Sequence, residues 1–373
     1  MLFSLEVLRA KHGDSLLLRY GDADDPKLIV IDGGPSGVFK DALKPRLEQL
    51  CQEAGGKLPI EILMVSHLDS DHVKGIVDFS NALAKKPPTL KGEYKIKTLW
   101  QNTFADAIVS GGDGDPAEAD AGVPVGLEKA TVASVNEGRQ VRDNARLLHW
   151  PENKGFDESV MAPNDKGVEI DLDPLQLTVV GPRQQELDEL RKEWAKKTKE
   201  LKKAKPAEAA EIAEYLDESV YNLSSIVCVA EIKGKRVLLT GDARGDKILP
   251  GLEAAGFLPA NGKMELDLLK VPHHGSSRNL EVDFFKRLPA PHLVISANGK
   301  DGNPDLTTLE MISKARPDDK FTLHLTESKF KEDIGPEIEA FFEKERKEGR
   351  KYKVEFRPED ELLLRIDLLD PPA

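Results

Sequence analysis

The stretch from Glu61 to Ile76, EILMVSHLDSDHVKGI, constrains this chain more than any other. Ile62 to Val65 has the length and branching of a buried strand, and it stops abruptly at Ser66. His67, Asp69, Asp71 and His72 then arrive within six residues, ahead of a helix expected from Val73 to about Lys86. Four potential ligands at a strand's end can converge on one point without a long loop. Burying that many carboxylates and imidazoles without a cation is costly. The pattern therefore points to a metal site rather than a solvated turn.

Three later stretches extend it. Leu238-Leu239-Thr240-Gly241-Asp242 is a strand emptying into a Gly-Asp turn, and Leu268 to Val271 is a strand ending in Pro272-His273-His274-Gly275-Ser276. Paired histidines at a strand end suit a site better than a core. Which of the two faces a metal stays open, because adjacent residues on an extended segment point opposite ways. Tyr221 to Val227 carries Asn222 and Ser225. The only histidine between His72 and Asp242 is His149, in a context that reads as a helix end and a structural role.

His67-Leu68-Asp69-Ser70-Asp71-His72 resembles the HxHxDH signature of metallo-β-lactamase-fold hydrolases, with Asp69 in place of the second histidine. This variant is similar to the SHxDxDHxxG of the ComEC-type competence branch, matched by Ser66, His67, Asp69, Asp71, His72 and Gly75. Lys270 to Ser276 resembles that branch's KVxHHGS motif, and Asn222 with Ser225 its Asn-x-x-Ser pattern. The Gly13-Asp14 turn and the strand ending in Asp32-Gly33 resemble the family's opening, although both aspartates are equally explained as turn formers. One departure stands out: Gly302-Asn303-Pro304 has asparagine where the branch has the histidine of a His-Pro pair.

The resemblance implies a divalent metal centre, two ions of manganese or zinc with magnesium as a third option. Its ligands would be His67, Asp69, Asp71, His72, Asp242 and His273. Catalytic roles would fall to Asp71, His273, His274 and Lys270, the lysine or the second histidine neutralising charge developing on a phosphoryl group. Asp14, Asn222, Ser225, Ser276 and Asn303 are candidate substrate contacts. Three carboxylates with few imidazoles make a hard site, which shifts preference from zinc toward manganese or magnesium.

With 373 residues, the chain can bury a large core, and 39% apolar with 32% charged residues fits a globular protein with a highly charged surface. No apolar run reaches the length of a membrane span, and Met1 to Ala10 lacks the organisation of a signal peptide. Cys51 and Cys228 are far apart and imply no disulfide framework, so the expected compartment is the cytoplasm. A net charge of −13 argues against broad electrostatic adhesion to nucleic acid or anionic membrane, but not against a metal-bridged phosphate substrate.

Strands expected at 3–8, 15–20 and 28–31 suggest an antiparallel meander, followed by a helix over 39–54 and, after the ligand strand and its helix, another strand at 96–100. A mobile loop is expected over Gly111 to Gly126 and a helix over 127–148. Arg183 to Asp217 mixes acids and bases around one apolar stripe and is broken at Pro206. It reads as a solvated helical insertion whose removal should leave the fold intact. The tail reads as a helix from Pro336 to Lys347 and a charged hairpin, 352–356 with 361–366. The fold implied is an α/β (α+β) αββα sandwich, two mixed sheets flanked by helices. It spans 1–330 with an insertion at about 104–218, and 331–373 is packed on it as an extension.

The leading functional expectation is a metal-dependent phosphodiesterase or nuclease acting on DNA or a nucleotide-containing substrate. A lactone, thioester or small phosphoester hydrolase on the same core is the second reading. A non-catalytic module with a degenerate metal site is the third.

Overall fold

The computed structural model describes residues 1–102, 129–201, 221–330 and 334–369. The expected loop at Gly111 to Gly126 and the break at Pro206 lie outside them. The first half runs β1 (Leu2–Leu8), β2 (Leu16–Gly21), β3 (Pro26–Ile31), α1 (Lys44–Glu53), β4 (Lys57–Ile60), β5 (Ile62–Met64), α2 (Ser70–Ala84), β6 (Glu93–Ile96), β7 (Leu99–Trp100) and α3 (Lys129–Leu147). The second runs β8 (Val168–Asp171), β9 (Gln176–Gly181), α4 (Gln184–Leu201), β10 (Val227–Ile232), β11 (Lys235–Leu239), α5 (Gly245–Ala254), β12 (Leu268–Lys270), α6 (Val282–Arg287), β13 (His292–Ile295), α7 (Leu306–Ala315), β14 (Thr322–Leu325), α8 (Gly335–Lys347), β15 (Lys353–Phe356) and β16 (Leu363–Leu369).

These strands form two large sheets, ordered β16-β1-β2-β3-β5-β7 and β15-β14-β13-β12-β11-β10-β9-β8, and a small parallel pair, β4-β6. Both large sheets are mixed. An antiparallel meander (β1-β2-β3, β9-β10-β11) leads into parallel strands joined by helical crossovers (β5-β7, β12-β13-β14). A strand's side chains alternate between faces, and here both faces are covered. Leu16, Leu18, Ile29 and Ile31 point between the sheets, where they meet Val179, Cys228, Ala230 and Leu239. Leu17 and Val30 point outward onto Leu47, Val73, Ile76 and Phe79 of the flanking helices. On the other side Val229, Leu238, Leu269 and Leu293 meet Leu252, Phe284, Phe285 and Ile312. The result is four layers and three cores, the αββα sandwich expected. Doubly covered strands must read as continuous apolar runs, and this is why the sequence shows them so clearly.

Two expectations change. The strand at 96–100 is two strands in different sheets: Ile96 ends the small pair and Leu99 joins the large sheet beside β5. The tail is not a hairpin. β15 extends the second sheet beside β14, while β16 crosses to the first and pairs with β1. Leu364 and Ile366 enter the inter-sheet core while Arg365 and Asp367 stay outside. At the start of the Arg183 segment the apolar stripe packs inward, with Leu187 and Leu190 buried, and the Arg183 guanidinium donates to the buried Glu186 carboxylate at 2.6 Å. Residues 202–217 of that segment lie outside the described ones.

The tail's placement gives a test. Ile366→Ala should cost about 2–5 kcal/mol, as for a core aliphatic, read as a lowered urea midpoint with an unchanged slope. A loss under about 0.5 kcal/mol, typical of surface positions, would return the tail to a peripheral role.

Candidate metal centre

All the chemistry-bearing loops leave the same ends of the two sheets. β3 delivers Asp32, β5 delivers Ser66 to Asp71, β11 delivers Asp242, and β12 delivers His273 and His274. The turn between β1 and β2 brings His12 and Asp14 to the same place. Backbone contacts lock the loops together. Ile226 N–H donates to Ser66 O across the sheets at 2.9 Å, and His273 N–H to Gly241 O at 3.2 Å. The Ser296 hydroxyl donates to Gly13 O at 2.7 Å.

Asp69 caps α2 with its backbone: the N–H groups of His72 and Val73 both donate to Asp69 O at 2.9 Å. A capping aspartate usually spends its carboxylate on the amides of the second or third helical residue, here Asp71 or His72. Here the side chain makes no capping bond and lies instead 3.3 Å from His67 Nε2. One turn on, His72 Nδ1 meets Asp32 Oδ2 at 2.9 Å, and Asp32 also accepts from Ser66 N–H at 2.7 Å and the Ser66 hydroxyl at 2.6 Å. These bonds fix the ring so that His72 Nε2 faces inward. Asp32 thus orients a ligand rather than merely shaping a turn.

The two adjacent histidines do not lie on an extended segment. His273, His274 and Gly275 take successive left-handed φ values of 50°, 54° and 80°, a cost of roughly 1–2 kcal/mol for each non-glycine residue. That bend breaks the opposite-faces rule, and both imidazoles approach the Asp242 Oδ2, at 3.8 Å for His273 and 3.3 Å for His274. His274 is the deeper one. Its Nδ1 contacts Ser296 O at 2.9 Å, and its Nε2 faces His72 Nε2 at 3.1 Å and Asp71 Oδ2 at 3.4 Å.

Two groups of donors result, sharing Asp242. His72, His274 and Asp71 surround one side of it, with Asp242 Oδ1 3.3 Å from His72 Nε2. His67 and Asp69 surround the other, with His67 Nε2 3.9 Å from Asp242 Oδ2. His273 stands beside it, toward the cleft. The charges in the cluster are strongly coupled. Burial would lower the pKa of His72 and His274, but Asp242 with Asp71 and Asp32 raises the first well above its usual range, and Asp242 with Asp14 lifts the second to about 10. Burial would raise Asp71 and Asp242, yet the facing imidazoles hold both well below ordinary carboxylates. His273 is lowered by burial, against the pull of Asp242.

Divalent metal fits these residues. Among the described residues no group hydrogen-bonds His67 Nε2, Asp69 Oδ1 or Asp242 Oδ1, although all three atoms are buried. Asp14, His72, Asp242 and His274 each offer a ligand atom within 4.8 Å of the others. Asp14 is less available than the rest, because its Oδ2 sits 2.7 Å from the Lys270 ammonium.

Lys270 is therefore placed otherwise than the sequence reading has it. Strand alternation turns it toward the space between the sheets, where it is fully buried against Asp14 and donates to Val271 O at 3.1 Å. It supports the floor and does not line the cleft. Ser225 likewise braces the site, its hydroxyl accepting the Asp242 N–H at 3.3 Å. Asn222 is buried beside Pro182 and Val227, away from the cleft. Ser276 and Asn303 do line it, in a cavity of about 380 Å³ with Asp69, Asp71, Asp242, His273 and His274. His149 lies in the turn just after α3, at φ 56°, and His292 and His324 pair with each other at 2.9 Å, remote from the cluster. Six lining residues were not among the sequence candidates, His12, Ser70, Arg278, Lys300, Asp301 and Asp305, and His12 Nε2 lies 3.0 Å from Lys300 Nζ.

Residues 9–140 match the model of the metallo-beta-lactamase superfamily. The fold is of the metallo-β-lactamase type. The matched stretch holds Asp14, Asp32 and the His67–His72 cluster, while Asp242, His273 and His274 come from the second half of the sandwich, outside it. No curated protein matches the chain. Among the described residues no helix is long and apolar enough to cross a membrane.

Proposed function

We propose that this metallo-β-lactamase-fold protein is a metal-dependent phosphodiester hydrolase acting on a nucleotide-containing substrate. The observation that carries the reading is the donor set. Asp69, Asp71 and Asp242 supply oxygen at both positions, and the side of the cluster held by His67 has Asp69 where the commoner pattern has a second imidazole. Oxygen-rich sites favour harder ions, manganese or magnesium, over zinc, and such ions suit phosphoryl chemistry. When bound, two divalent ions would polarise a phosphoryl oxygen and lower the pKa of an attacking water.

The protein's own groups do the rest. Asp242 holds the two halves of the centre in register. Asp71, kept ionised by His72 and His274, can orient a water through its Oδ2. His273, partly exposed on the cleft side and held toward its neutral form by burial, is placed to take a proton from an attacking water. Asp32 and the Ser296 carbonyl keep the inward imidazoles aimed.

One observation favours a small ester as a second reading. A cavity of about 380 Å³ is near the lower end of small-molecule pockets, about 300–1,000 Å³, and the net charge of −13 repels polyanions. Bis(p-nitrophenyl) phosphate, single-stranded DNA and a lactone, each assayed with manganese, magnesium and zinc, separate the readings. Manganese-supported turnover of the diester is expected; turnover of the lactone alone would overturn the proposal. Asp69→His should lower the manganese-supported rate more than the zinc-supported one, because it exchanges a hard donor for a softer one. An unchanged ratio of the two rates would remove Asp69 from the setting of metal preference.

A further inference from the structure

The cleft carries two cations, Lys300 and Arg278, beside Asp301 and Asp305 above its acidic floor. Asp69, Asp71 and Asp242 make the floor acidic, and bound divalent ions would consume that charge. On the wall, Lys300 reaches over from the loop after β13, in the short turn Lys300–Gly302 that ends beside Asn303. Its Nζ is 3.0 Å from His12 Nε2. An ammonium can only donate hydrogen bonds, so His12 Nε2 accepts this one and the ring is neutral at that nitrogen. The contact ties the wall to the turn between β1 and β2, which the Ser296 hydroxyl already anchors through Gly13 O. A flexible lysine is thus held over the cavity rather than left to sweep through solvent. Asp301, its other neighbour, is 3.7 Å away and largely exposed, so it screens Lys300 only weakly.

We propose that Lys300, positioned by His12, forms an anion subsite that takes a non-bridging oxygen of a phosphate ester seated on the floor, and so selects anionic phosphoesters over neutral esters. The assignment rests on the phosphodiester reading for its substrate. The subsite itself rests on the cleft geometry. Neutral His12 can accept from Lys300 without competing for the anion. The subsite holds one phosphate group, in keeping with the size of the cavity.

The test uses the full-length, manganese-loaded protein, with folding of each variant checked by thermal melting. Lys300→Ala should lower the ratio of kcat/KM for bis(p-nitrophenyl) phosphate to that for p-nitrophenyl acetate on the order of 10- to 100-fold, as expected for a lost charge-assisted hydrogen bond. Lys300→Arg should restore most of it. His12→Ala should lower the ratio several-fold, mainly through KM, and His12→Gln, which keeps an acceptor, should recover it. Titration of inorganic phosphate by calorimetry gives a second readout, and Lys300→Ala should weaken its binding at least about tenfold. Equal loss on both substrates, or phosphate binding within twofold of the parent, overturns the subsite. A parent protein that cleaves no diester would sink the functional reading instead, and the phosphate titration would still decide the subsite.

Discussion

Asp242→Ala should abolish the metal centre as a unit. Among the described residues Asp242 is the one carboxylate that reaches both donor groups, within 3.3 Å of His72 and His274 and 3.9 Å of His67. Removing even an outer partner of a ligand typically costs about 10–100-fold in metal affinity, so losing the shared ligand should cost more than about 100-fold. Stability gives an independent readout. A metal at about 1,000 times its Kd stabilises a fold by about 4 kcal/mol, which should appear in the parent as a melting temperature several degrees higher with manganese than with a chelator. In Asp242→Ala that difference should vanish and bound metal by mass spectrometry should fall. A variant keeping both stoichiometry and the chelator-sensitive shift would place the centre elsewhere.

How far the sequence foretold this site depends on what each residue had to do. The ligands were legible because metal chemistry packs rare residues tightly: His67 to His72 supply four candidates in six positions, and the adjoining strand is apolar on both faces. Direction was less legible. Lys270 follows Leu268 and Leu269 on β12, and alternation alone places it with Leu268, facing between the sheets. A buried lysine needs a partner, yet that partner, Asp14, lies more than 250 positions earlier. The His273–His274 pair was ambiguous because its strained, left-handed bend has no mark in the sequence beyond Gly275. The Ser296 contribution is a backbone carbonyl, which any residue could supply. In the tail, the alternation of Leu364 and Ile366 with Arg365 and Asp367 did announce a half-buried strand. Nothing local says that its partner is β1, at the other end of the chain.

Close backbone contact was the least legible feature and sets up the other large effect. Gly75 lies inside α2, where alanine ordinarily adds about 1 kcal/mol of helix stability. Here the helix is pressed against the loop after β3. Gly75 N–H donates to Gly34 O at 2.9 Å, Gly33 N–H donates to His72 O at 2.8 Å, and a Cβ on Gly75 would stand 1.9 Å from Gly33 O. The obstacle is backbone, not a flexible side chain, so helix and loop would have to separate by roughly an ångström. Overpacking of this kind typically costs about 1–3 kcal/mol and occasionally more, and each hydrogen bond lost adds about 1 kcal/mol. These terms outweigh the helical gain, and Gly75→Ala should be destabilised by about 2–4 kcal/mol in urea titration. The displaced loop carries Asp32, which aims His72 at 2.9 Å. Metal affinity should therefore fall about 10–100-fold along with stability, as for loss of an outer-shell carboxylate. A variant more stable than the parent would mean that helix propensity prevails and that the two segments can part without cost. Lost stability with unchanged metal affinity would mean that Asp32 does not depend on this contact for its hold on His72.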